Sequence, residues 1–167
     1  MTDTNHARRE FTLTGTLDAS PDEVFRAWTD PEQLGWFYND AQPTPDEPIE
    51  VDLTVGGAWR QQMIIDADTS YATGGIYHEI VPGERLVFSW GAEGGWPDLD
   101  RDHLDQSPLV TIVLSRVGNR TEMTTQIVLP ESFVAATPSA WLQHIETGWR
   151  DTVDRLAAAL TTATSTT

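Results

Sequence analysis

Four histidines, twenty-six carboxylates and a complete absence of cysteine and lysine set what chemistry these 167 residues can perform. Without thiols there are no disulfides, thiolate zinc sites or sulfur nucleophiles, and without an ε-amine there is no Schiff base. The densest cluster is Asp98, Asp100, Asp102, His103 and Asp105. Aspartates at the first, third and fifth positions begin like a calcium loop, but the sixth is His103 where the turn needs glycine, and the twelfth is Leu109 where a bidentate glutamate belongs. A solvated acidic loop is the better reading. His78 and Glu79 are adjacent in a strand-like segment and are expected on opposite faces. His144 and Glu146, two apart in a helical segment, diverge as well. The sequence assigns no catalytic residue, no metal ligand and no cofactor.

The elements that would position any site are better marked. Phe11, Leu13 and Leu17 alternate with threonines, the period of a half-buried strand. Ser20, Pro21 and Glu23 form a capping box opening a short helix that buries Val24, Phe25 and Trp28. Asp30, Pro31 and Gln33 repeat the signal, predicting a second short helix with Leu34, Trp36 and Phe37. Strands are then expected near 49–55, 58–66, 73–81, 85–91, 109–117 and 120–129. Turns at Gly56-Gly57, Pro82-Gly83 and Gly118-Asn119 make them an antiparallel meander. After Pro138 the period changes. Leu142, Ile145, Trp149, Val153, Leu156 and Leu160 line one side of a helix of about six turns. The face available to that stripe is the inner face of the sheet, and a helix crossing a curved sheet leaves a crevice where ligands bind.

This organisation is one α+β domain over 10–161, with 1–9 and the Thr-rich 162–167 expected to be flexible. A formal charge of −16 makes nucleic acid an improbable partner and opposes anionic membrane surfaces. The longest apolar run, Leu156 to Leu160, is far below the roughly 20 residues of a membrane span. No export signal follows Arg8 and Arg9, so a cytoplasmic location is expected.

Several stretches carry a resemblance: Ala19-Ser20-Pro21 to Phe25, Trp28-Thr29-Asp30-Pro31-Glu32 with Leu34 and Trp36-Phe37, and Gly56-Gly57-Ala58-Trp59-Arg60 with Met63. Gly75 to Ile80, Glu84 to Trp90, Thr121 to Gln126 and Gly148-Trp149 continue it in order. The sequence resembles the activator of heat-shock protein 90 ATPase homologue family of the START-like, or SRPBCC, superfamily. The resemblance implies a helix-grip fold, a curved antiparallel sheet of six or seven strands around a long C-terminal helix, with two short helices after strand one. It also implies a cavity walled by Trp59, Met63, Tyr77, Phe88 and Trp90 on strands, with Trp36, Phe37, Trp141, Ile145 and Trp149 on the helical side. Gln126 and Tyr77 would orient a polar ligand atom, and Gly148 would either let the helix backbone approach closely or relieve packing beside Trp149. The segment Gly91 to Pro108 is longer and more acidic than the family pattern. The expected function is a binding protein for an apolar or aromatic small molecule. Two alternatives stay open: a co-chaperone-like stimulator of a chaperone ATPase, although no residue here specifies a chaperone surface, and a cofactor-free cyclase or aromatase-like enzyme using the same cavity. Oligomeric state is not legible.

Overall fold

A computed structural model of the chain describes residues 9–30, 33, 49–66, 68–91 and 99–165. Strand β1 (Arg9–Leu17) leads into helix α1 (Pro21–Thr29), followed by β2 (Glu50–Val51), β3 (Ala58–Asp66), β4 (Thr69–Val81) and β5 (Arg85–Trp90). A short 3-10 helix (Arg101–Gln106) precedes β6 (Leu109–Val117) and β7 (Arg120–Leu129). Helices α2 (Glu131–Ala136) and α3 (Ser139–Ser165) close the chain. The strands form one antiparallel sheet in the order β1-β7-β6-β5-β4-β3-β2. With the short helix after strand one and the long helix at the end, this is the α+β helix-grip architecture expected from the sequence.

Local chemistry explains the boundaries. Ser20 Oγ accepts from the Glu23 amide while Glu23 Oε1 accepts from the Ser20 amide, so the capping box forms and starts α1. Gly56, Gly83 and Gly118 adopt positive φ in the turns before β3, β5 and β7, a backbone region that penalises other residues. The expected strand over 49–55 shrinks to Glu50–Val51. Its chain then folds back through Thr54 N to Asp52 O and Gly57 N to Thr54 O, leaving Val55 70% exposed. Apolar alternation was present there, but the turn hydrogen bonds took the backbone. β4 begins at Thr69, earlier than its apolar pattern implied, because its polar start pairs with β3 across the Asp66–Thr69 turn. Helix α2 has no periodic signal in six residues, and its bounds follow from Pro130 before it and Thr137-Pro138 after it. The second short helix, with Leu34, Trp36 and Phe37, lies outside the described residues.

Cross-strand register fixes which side chains share a face. Leu13 and Leu17 of β1, Met123, Thr125 and Ile127 of β7, Val110, Ile112 and Leu114 of β6, and Leu86, Phe88 and Trp90 of β5 lie on the concave side and are buried. Helix α3 covers them with Leu142, Ile145, Trp149 and Leu156. It runs on to Ser165, into the tail expected to be loose. Among the described residues no helix is long and apolar enough to cross a membrane.

Gly148 sits on the exposed side of α3, where an added Cβ meets nothing among the described residues within 4 Å. A close approach of the helix backbone at this point is therefore not what keeps the residue small. Gly148→Ala is expected to raise stability by about 0.5–1 kcal/mol through helix propensity, measurable in urea denaturation.

Candidate functional site

The wall opposite the middle of α3 is aromatic. Trp59 and Met63 of β3, Tyr77 of β4 and Phe88 and Trp90 of β5 are all buried on the concave face, because Trp59 pairs with Gly75, Gly75 with Trp90, and Tyr77 with Phe88. Ile145 and Trp149 face them from α3. The rings touch one another: Trp59 meets Phe88 edge-on at 5.6 Å, Tyr77 meets Phe88 at 6.3 Å, and Trp90 meets Trp149 at 5.4 Å. Trp28 of α1 stacks on Trp149 at 6.5 Å and so belongs to the group, which the sequence placed only in the core of α1.

Polar atoms are built into this apolar wall. Trp59 Nε1 donates to Gln61 Oε1 at 2.9 Å, and Trp90 Nε1 donates to Thr73 Oγ1 at 3.1 Å. Gln61 and Thr73 are register partners, nearly inaccessible, and were missed. The period-two spacing Trp59, Gln61, Met63 was the signal that would have found Gln61. Two further buried hydroxyls, Tyr77 OH and Thr125 Oγ1, have no hydrogen-bond partner among the described residues. Burial pushes the Tyr77 phenol far above its usual range, with the charge of Asp52 adding to the effect, so it remains a donor. Tyr71 is also raised by burial, with Arg155 opposing.

An unpartnered buried hydroxyl costs about 1–3 kcal/mol. Tyr77→Phe is therefore expected to leave the unliganded protein at least as stable, with a gain of about 1 kcal/mol in chemical denaturation. A loss of stability would show that the hydroxyl is already bonded within the fold.

The seam between sheet and helix is open along β1. A crevice of about 370 Å³ lies there, with Leu13, Gly15 and Met123 on the sheet side and Val153 and Ala157 on α3. Arg150 and Asp154 add charge to its lining. Gly15 faces α3 in register with Met123, and a Cβ there would meet nothing among the described residues within 4 Å. The ring cluster is closed by its own contacts, whereas this end of the seam is not.

Not every expected residue joins the concave face. Gln126 pairs with Thr12 and Thr111 on the opposite face, since Thr125 and Ile127 point inward. Trp141 is 51% exposed, its ring meeting His144 edge-on at 6.1 Å. Trp36 and Phe37 lie outside the described residues. The expectation that His78 and Glu79 oppose each other fails because of a β-bulge. Tyr77 pairs with Phe88 and Glu79 with Val87, so His78 is the extra residue. His78 Nε2 lies 2.6 Å from Ser89 Oγ, and Glu79 binds Arg85 at 2.8 Å, both on the convex side.

Leu104, Asp105 and Ser107 of the acidic segment also lie on that side. Asp98 is outside the described residues, while Asp100 Oδ2 sits 2.9 Å from His103 Nδ1. That hydrogen bond raises the His103 pKa and lowers that of Asp100, both in solvent. Among the described residues no three His, Cys, Asp or Glu side chains are grouped as a metal site.

The family model described as activator of Hsp90 ATPase homolog 1-like protein matches residues 18–161, most of the chain and every element from α1 to α3. The chain belongs to the activator of Hsp90 ATPase homolog 1-like family. Its membership agrees with solved structures of the same fold. A crystal structure of a protein from Chromobacterium violaceum is 25% identical, with TM-score 0.67, covering 91% of this chain and 97% of that one. An AHSA1-like protein from Aeromonas hydrophila, solved by NMR, is 18% identical with TM-score 0.67, covering 93% and 94%. A putative protein of the dynemicin biosynthetic locus is 21% identical with TM-score 0.63, and the match covers 92% of this chain but 48% of that one. No curated protein is significantly similar. Members of the activator of Hsp90 ATPase homolog 1-like family commonly bind hydrophobic ligands, and membership fixes the fold more tightly than the activity.

Proposed function

We infer that this protein binds an apolar or aromatic small molecule between the concave face of its sheet and α3. The observation that carries the reading is the crevice of about 370 Å³ along the β1–α3 seam, within the range of small-molecule sites. Leu13, Met123, Val153 and Ala157 give it apolar surface, where a guest gains roughly 25 cal/mol for each Å² removed from water, beside polar lining from the β1 threonines, Arg150 and Asp154. Beside it, the hydroxyl of Thr125, the register partner of Leu13, has no hydrogen-bond partner among the described residues and supplies a directional contact.

The test uses the uncharged fluorophore Nile red and a Gly15→Leu variant. Leucine is compatible with a strand and projects into the open seam, so the fold is expected to survive with unchanged or higher melting temperature. Nile red affinity is expected to fall at least about tenfold as the guest loses its volume, roughly 1.4 kcal/mol. Ala157→Leu, on the α3 side of the crevice, is expected to weaken binding as well. Unchanged affinity in both variants refutes the reading. Stimulation of a chaperone ATPase, or cyclisation of an aromatic precursor without a cofactor, measured beside the binding assay, would give the same concavity a different task.

A further inference from the structure

The convex face of the sheet, which the concave binding reading leaves unused, carries a second recess of about 590 Å³. Val87, Leu109 and Val128 form its floor, since the register Ser89↔Leu109↔Val128 places all of them opposite the concave side. The chain crosses over this floor at Leu104 and Ser107, in the acidic segment before β6. The His78–Ser89 pair, 2.6 Å apart, also lines the recess, both residues lying on the convex face with Ile76, the register partner of Ser89. Ser89 is 1% exposed and His78 is exposed, so the serine lies beneath the ring. The pair thus presents a hydrogen-bonding edge of imidazole and no accessible nucleophile. Asp105 also lines the recess, and among the described residues no arginine does.

We propose that this convex recess is a second binding site, taking a small apolar molecule that carries a protonated amine. The floor supplies apolar burial, His78 supplies a fixed polar contact, and Asp105 supplies the opposite charge. The formal charge of −16 makes the surrounding potential favour a cation and oppose a carboxylate of the same size. His78 stands on the face of Ser89 by ordinary alternation from Ile76, and the bulge that follows brings Glu79 to the same face, where Arg85 binds it. Since Asp105 is exposed, its share is modest and weakens with salt.

Amide chemical shifts of the full chain, titrated with phenylbutylamine, phenylbutanol and phenylbutanoate, test the proposal. The amine and the alcohol are expected to shift Val87, Leu109 and Val128 in preference to Leu13 and Met123, with the carboxylate bound about tenfold more weakly than the amine. Asp105→Asn is expected to reduce amine affinity about threefold and to leave the alcohol unchanged. Leu109→Arg fills the recess with a cation and is expected to abolish binding of the amine. If that variant does not fold, Asp105→Asn at its exposed position decides the matter alone. Shifts confined to the concave face, equal binding of amine and carboxylate, or indifference of the amine to Asp105→Asn each overturn the proposal. Loss of Nile red binding in Gly15→Leu with these shifts intact keeps the two sites distinct.

Discussion

Trp149→Ala is expected to destabilise the protein by about 3–5 kcal/mol, the range for removing a large aromatic from a core. Trp149 is the residue at which three elements meet. Its ring stacks on Trp28 of α1 at an interplanar angle of 20° and meets Trp90 of β5 at 80°, while its backbone belongs to α3. The residue is 3% exposed, so little relaxation from solvent can fill the space it leaves. At 2–4 °C per kcal/mol for a chain of this size, the midpoint should fall by about 10 °C in a thermal melt. Near-UV circular dichroism should lose intensity at the same time, because two indole partners lose their fixed neighbour. Trp149→Phe keeps a ring between Trp28 and Trp90 and should cost about 1–2 kcal/mol. An alanine variant less than about 1 kcal/mol below the parent would mean that α3 is not joined to the sheet through this residue.

Gly74→Ala is the second large effect, with an expected loss of about 3 kcal/mol and a failure to fold as its upper outcome. A Cβ at Gly74 would lie 1.8 Å from the carbonyl oxygen of Trp59 and 2.8 Å from its carbonyl carbon. Both are backbone atoms of the neighbouring strand, so no side-chain rotation relieves the contact, and β3 must move away from β4. That movement would also disturb the Trp59 ring, which rests on Phe88, and the Gly91 amide bonded to Gly74 O. The contrast with Gly148 makes the prediction specific. Both are glycines inside regular elements, yet an added methyl is expected to stabilise at one and to disrupt at the other. Chemical denaturation of the two alanine variants side by side measures this, and similar behaviour would refute the packing described for β3 and β4.

Most of the frame could be read from residue patterns. Period-two alternation in Phe11–Leu17, the capping box at Ser20, and the three-and-four spacing from Leu142 to Leu160 are local signals, each set by backbone geometry within one element. Where the signal was local but competing, the reading failed. Val51, Leu53 and Val55 alternate like a strand, but Asp52 and Thr54 turn the chain first. His78 and Glu79 look like opposed neighbours, and one inserted residue in the β4–β5 ladder puts both on the convex side. Gln126 failed for a different reason: its strand was right, but which of two faces was concave depended on how all seven strands lined up.

Sequence alone determined the class of fold and the chemistry excluded by missing thiols and ε-amines, because these follow from composition and from periods of two and 3.6 residues. Tertiary structure decided which aromatics touch, where the seam between sheet and α3 stays open, and that the convex face holds a recess of its own. Those are relations between segments far apart in the chain, fixed by register, by a bulge and by the volumes of side chains that meet only after folding.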